Sequence, residues 1–148
     1  MAFATNNDLL KYIPTIFDHG TEDFSDEINQ AQADVERYIE INWYNKTFGT
    51  GYDQIGRRVG ADFDAAKLTD TQWTRATVYR ALYAYILPQL ATWRPDGDSF
   101  TEQLKHYRER YAEEIDAEMA KGVDYDLNDD EVIQRNEKYR HRKDRLYR

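Results

Sequence analysis

The residues able to do chemistry are few and scattered. His19, His106 and His141 sit in three different segments, and none has a second histidine at metal-ligand spacing. The chain has no cysteine, which removes disulfides, thiolate metal sites and thiol nucleophiles. No serine stands in a Gly-x-Ser-x-Gly turn, so a hydrolase reading has no support. Gly49-Thr50-Gly51 followed by Gly56 has the outline of a phosphate loop. It lacks the Gly-Lys-Ser/Thr ending and follows no predicted strand, so it reads as a plain loop. Carboxylates such as Glu113 and Glu114 fall on an amphipathic helix and read as a solvated face rather than an acid–base pair. No catalysis and no cofactor are expected.

One spacing points to a cation. Asp126, Asn128 and Asp130, with Glu137 in the twelfth place, follow the register of a calcium loop that supplies oxygen ligands. Glu131 stands where such a loop wants glycine for a left-handed turn, and a non-glycine residue is strained there. A weak site or an acidic turn is the expectation, with a calcium-responsive helical binding module as an alternative function.

A second feature is a charge asymmetry. The net charge is −8, yet residues 131–148 carry +4, which leaves −12 on residues 1–130. Arg135, Arg142 and Arg145 can offer charge-assisted hydrogen bonds, and Tyr139, Leu146 and Tyr147 apolar anchors, to a protein partner. A nucleic-acid-binding accessory protein using this tail is a further alternative. The acidic body opposes it, because phosphates are repelled over most of the surface. Twelve tyrosines favour a binding role, since tyrosine is enriched at interfaces.

The elements that must position these residues are helical. Asn7 is placed to cap a short helix over 8–13, which Pro14 ends. Ser25 caps a second helix reaching Tyr44, with Ile28, Ala31, Val35, Tyr38, Ile39 and Asn42 on one face. Four glycines between 46 and 68 predict a long loop, either a flexible surface or a segment ordered by a partner. Thr69 and Gln72 form a capping box, and Leu68 with Trp73 a hydrophobic staple, at the start of a central helix running to Leu90. That helix is apolar nearly all round, and Pro88 should kink it near Ala84. Ser99 and Glu102 open a fourth helix whose stripe is Phe100, Leu104, Tyr107, Tyr111, Ile115 and Met119. Gly122 ends it.

The fold class expected is all-α: a small bundle with a long central helix, a glycine-containing loop and an extended C-terminal tail. The bundle covers 1–122, and a docking tail covers 123–148. The tail holds too little apolar surface to fold alone. A chain of this length fits one domain with a proper core. The start lacks the basic and apolar regions of a signal peptide, and the apolar stretch from 78 to 91 is too short and polar to span a bilayer. No membrane partner is expected, and synthesis in a cytoplasm is.

Three stretches carry a family resemblance. The first runs Asp8-Leu9-Leu10-Lys11-Tyr12-Ile13-Pro14, Asp23-Phe24-Ser25-Asp26-Glu27-Ile28 and Ala33-Asp34-Val35-Glu36-Arg37. The second goes from Gln72-Trp73 through Tyr79-Arg80-Ala81-Leu82 to Ile86-Leu87-Pro88-Gln89-Leu90. The third is Ser99-Phe100 with Tyr107-Arg108-Glu109-Arg110. Together they resemble the head–tail connector (adaptor, or head completion) proteins of tailed bacteriophages. The resemblance spans most of the chain and rests on core patterns rather than chemistry. It implies a structural virion protein, assembled in the host cytoplasm, that forms a ring of its own copies, typically a dodecamer. Such a ring binds beneath the portal protein, extends the DNA channel and docks the next neck or tail-completion protein. Genomic DNA passes through without specific binding. A C-terminal segment reaching onto the portal is implied too, and the basic tail matches it in position. The glycine-bearing loop departs from a minimal bundle.

Overall fold

The computed structural model describes residues 2–49, 51–52, 58–59, 62–91, 99–134 and 138–139. The described chain is mostly helical with very little strand, which is the expected all-α class. Helix α1 spans Asn6–Leu10, and a 3-10 turn covers Ile16–His19. The cap of α1 falls on Thr5 rather than Asn7. The Asp8 carboxylate accepts the Thr5 N–H at 2.9 Å and the Thr5 hydroxyl at 2.8 Å, so the capping residues lie two positions earlier than the spacing suggested. Asn6 is used instead to tie α1 to the next helix: its Oδ1 accepts the Phe24 N–H at 3.2 Å, and its Nδ2 donates to Asp23 at 2.6 Å.

Helix α2 spans Ser25–Ile39. The N-cap falls on Phe24 rather than Ser25 and makes no side-chain cap bond, while the Asp23 carboxylate just before it accepts the Ser25 N–H at 2.9 Å. Ile28, Ala31, Val35 and Ile39 are buried, while Tyr38 and Asn42 are half-buried at the edge of the stripe. The coil does not stop at Tyr44. It widens into a π-helix over Glu40–Gly49, which carries the chain into the segment expected to be loop. The widening lets Trp43 and Tyr44 be buried side by side. Beyond it, β1 (Gly51–Tyr52) and β2 (Arg58–Val59) pair antiparallel, Gly51 opposite Val59. Further along the same segment, a 3-10 turn covers Ala65–Lys67, with Asp64 accepting the Ala66 N–H at 3.0 Å.

Helix α3 (Asp70–Ala81) passes through a π-helical turn, Leu82–Ile86, into α4 (Leu87–Leu90). The disturbance lies where Pro88 should put it. Proline has no N–H for the Ala84 carbonyl and crowds it, and a wider turn relieves both. Trp73, Leu82 and Ile86 are fully buried and Leu90 half-buried, so this is the central helix. Helices α2 and α5 (Ser99–Lys121) both pack on α3. Gly122, at φ 107°, ends α5 in the left-handed conformation that glycine allows. On the α5 stripe only Ile115 is fully buried; the remainder are half-buried against the core.

The core has two parts. Around the α1 end, Leu9, Ile16, Phe24, Ile28, Leu82 and Ile86 pack together. Around the π-helix, Val35, Trp43, Tyr44, Trp73, Val123 and Tyr125 do so. The second part corrects the boundary expected at 122, because Val123 and Tyr125 belong to the core. Leu68 forms an antiparallel bridge to Tyr125, with Thr69 N–H donating to the Asp124 carbonyl at 3.3 Å and Asp126 N–H to the Lys67 carbonyl at 2.9 Å. The capping box expected at Thr69 is also redirected. Thr69 makes no side-chain cap bond, and the Gln72 amide crosses to the end of α5. There it donates to the Gly122 carbonyl at 2.8 Å and accepts the Asp124 N–H at 3.0 Å. These two backbone groups follow a helix end and need partners, and one glutamine satisfies both. Among the described residues no helix is long and apolar enough to cross a membrane.

Candidate functional site

The tail expected to bind a partner is reached only in part. Arg135, Arg142, Arg145, Leu146 and Tyr147 lie outside the described residues, as does Glu137. Tyr139 belongs to β4 (Lys138–Tyr139), which pairs antiparallel with β3 (Val123–Asp124), Tyr139 opposite Val123 and Lys138 opposite Asp124. Lys138 and Tyr139 thus lie beside the strand that follows α5.

Between β3 and β4 lies the acidic turn read as a calcium loop. The Asp126 carboxylate accepts the Glu131 N–H at 2.8 Å and the Asp130 N–H at 3.3 Å. Asn128 Oδ1 accepts the Asp130 N–H at 3.2 Å, and Asp130 accepts the Val132 N–H at 2.9 Å. That last bond heads the contributions that hold the Asp130 carboxyl below its ordinary range. Lys67 pairs with Asp129 at 2.9 Å and pins the turn to the 3-10 turn before α3. Glu131 sits at φ 62° and Asp129 at φ 58°, so the left-handed turn forms without glycine, held by the carboxylate–backbone bonds. Among the described residues no three His, Asp or Glu side chains are grouped to hold a metal ion.

The histidines are not brought together. His19 lies edge-on to Phe100 at 5.0 Å, His106 stands beside Tyr107, and His141 is outside the described residues.

A further polar cluster among the described residues, centred on Arg80, is one the sequence did not single out. Arg80, on the inner run of α3, donates through Nε to Asp34 of α2 at 2.8 Å, and its Nη2 lies 2.7 Å from the same oxygen. Tyr85 donates to that oxygen at 2.5 Å, and Arg80 Nη1 donates to the Tyr83 hydroxyl. The guanidinium carbon lies 5.1 Å from the Tyr83 ring centre and 5.7 Å from that of Tyr111, within cation–π range. Burial opposes the charge on Arg80, but Asp34 and Tyr83 hold its pKa above the ordinary value. Burial, with Tyr83 nearby, pushes the Tyr111 hydroxyl up to about 12. The signal was available: Arg80 interrupts the most apolar stretch of the chain, where a cation needs a partner. The cluster joins α2, α3 and α5, and beside it a cleft of about 280 Å³ opens, lined also by Arg37, Tyr38, Ile41 and Asn42. Within the cluster the charges of Arg80 and Asp34 neutralise each other in place.

No protein-family model, curated protein or solved structure matches this chain.

Proposed function

We propose that the protein is a ring-forming head–tail connector, a structural component that binds beneath a phage portal, extends the DNA channel and docks the next neck or tail-completion protein. The reading rests on the three stretches quoted above, and one observation carries it further. Six of their apolar members (Leu9, Ile28 and Val35; Trp73, Leu82 and Ile86) lie in the core of one helical body, and Lys138 and Tyr139 of the basic segment pair with β3 of that body. A compact acidic body with an oppositely charged arm suits a protein whose work is to join others. In this reading Arg135, Tyr139, Arg142, Arg145, Leu146 and Tyr147 contact the portal. The ring leaves DNA unheld, because an acidic wall repels phosphate. The test uses portal-bearing heads that lack this subunit. The full chain should complete them to tailed particles, and a chain without residues 131–148 should keep its helical content and fail to attach. Full-length protein that leaves the heads incomplete would sink the proposal.

A second reading, a calcium-responsive helical module, draws on the left-handed backbone at Glu131 and the two N–H groups gathered by Asp126. Calorimetry decides it: micromolar calcium binding that disappears in Asp126→Ala would favour it over the connector.

A further inference from the structure

Among the described residues four large apolar side chains are exposed: Leu10, Ile41, Leu127 and Val132. Single exposed apolar residues need no explanation, but their neighbours here do. Leu127, 47% exposed, and Val132, 61% exposed, ride on the acidic turn with Asp129, Asp130 and Glu131. Ile41, 50% exposed, lines the cleft beside Arg37 and Tyr38. Arg37 is the single basic residue of α2; it is exposed and has no ion pair among the described residues.

We infer that the acidic turn of one copy seats in this cleft of the next copy, Val132 against Ile41 and Tyr38, with Glu131 facing Arg37. The inference rests on the connector reading and names the contact that builds its ring. The occupant is a second copy because the two surfaces complement each other in both respects: apolar residue with acid on one, apolar residue with base on the other. Copies carrying −12 over residues 1–130 repel one another, so a specific contact must bring a cation to the carboxylates. Arginine and tyrosine are the residues enriched in interface cores. The turn is also pre-organised, since the carboxylate bonds to the Glu131 and Val132 N–H groups fix its backbone before any encounter. The two surfaces share no residue, so the contact is head-to-tail. Each copy keeps one half free after the first contact, which is the condition for ring closure.

The absence of cysteine makes the test clean. Ile41→Cys and Val132→Cys are placed together in the full chain and oxidised. A ladder of linked species beyond the dimer should form, because every copy offers both halves. Either single variant should stop at the dimer. Arg37→Glu added to the pair should cut the ladder about tenfold or more, and Glu131→Lys added to that should restore it. The pair Leu10→Cys with Val132→Cys reports random collision, and circular dichroism checks that each variant is folded. A ladder no stronger than the collision control, or one indifferent to Arg37→Glu, overturns the contact. The connector reading fails separately, if the unmodified chain does not complete portal-bearing heads. Completed heads without the ladder reject this contact alone.

Discussion

Replacing Tyr125 separates two contributions in one side chain. Its ring is 1% exposed and lies 5.5 Å from the Trp43 ring, 5.7 Å from Tyr44 and 6.2 Å from both Phe48 and Phe63. Its hydroxyl accepts the Asp64 N–H at 3.3 Å. Tyr125→Phe deletes the hydroxyl alone and should cost about 1 kcal/mol, since Asp64 is exposed and water can take over its N–H. Tyr125→Ala removes the ring from an aromatic set on two elements, Trp43, Tyr44 and Phe48 on the π-helix and Phe63 before the 3-10 turn. Lost transfer energy and the cavity left behind amount to about 3–5 kcal/mol. Against a typical total of about 5–15 kcal/mol, the alanine variant loses roughly a fifth or more of its stability. Urea unfolding followed by tryptophan fluorescence reads this directly, because Trp43 borders the cavity. With a slope of about 1–3 kcal/mol per molar, the midpoint should fall by about 1 M or more at unchanged slope. A cost below about 1 kcal/mol for Tyr125→Ala, or equal costs for the two variants, would refute the placement of residues 123–125 in the core.

The remaining predictions concern single groups. Thr77 is fully buried with its hydroxyl unpaired, so Thr77→Val should leave the protein equally stable or raise its stability by about 1 kcal/mol, measured by the same unfolding curves. Glu131→Gly relieves a left-handed non-glycine residue, and a gain of about 1 kcal/mol should lift the melting temperature by roughly 2–4 °C. Tyr111 titrates near 10 when unfolded and is raised to about 12 when folded. Its contribution is therefore whole below about pH 10 and is lost as the pH climbs toward about 12; urea midpoints across that window should fall less steeply in Tyr111→Phe.

Most of the helical plan was legible because periodicity and caps are local signals. The buried face of α2, the central position of α3, the disturbance ahead of Pro88 and the stop at Gly122 all follow from residues within a few positions of the feature. What was not legible depended on distant partners. Gln72 looks like a capping residue in its own helix, yet Gly122 and Asp124, some 50 positions on, compete for its amide and win. Tyr125 sits in an acidic stretch that reads as tail, and only the aromatic residues of the π-helix reveal it as core. The glycines between 46 and 68 argue against a long α-helix, but they do not reveal that a wider coil extends to Gly49. For the candidate surfaces, sequence gave the charge of the tail and the calcium-like spacing. The Arg80–Asp34 pair and the cleft beside it need three helices in place before they exist.

The late arrival of Tyr125 has a consequence for how the protein is made. Trp43, Tyr44 and Phe48 leave the ribosome well before the residue that covers them. At about 5–20 residues per second, the roughly 80 residues between Phe48 and Tyr125 take about 4–16 s to appear. Throughout that interval a cluster of large aromatic side chains lacks its lid, in a nascent chain crowded among others of its kind. Collision between such chains is fastest at high expression, and a chaperone that shields aromatic surface should raise the yield of folded protein more than it raises the yield of message.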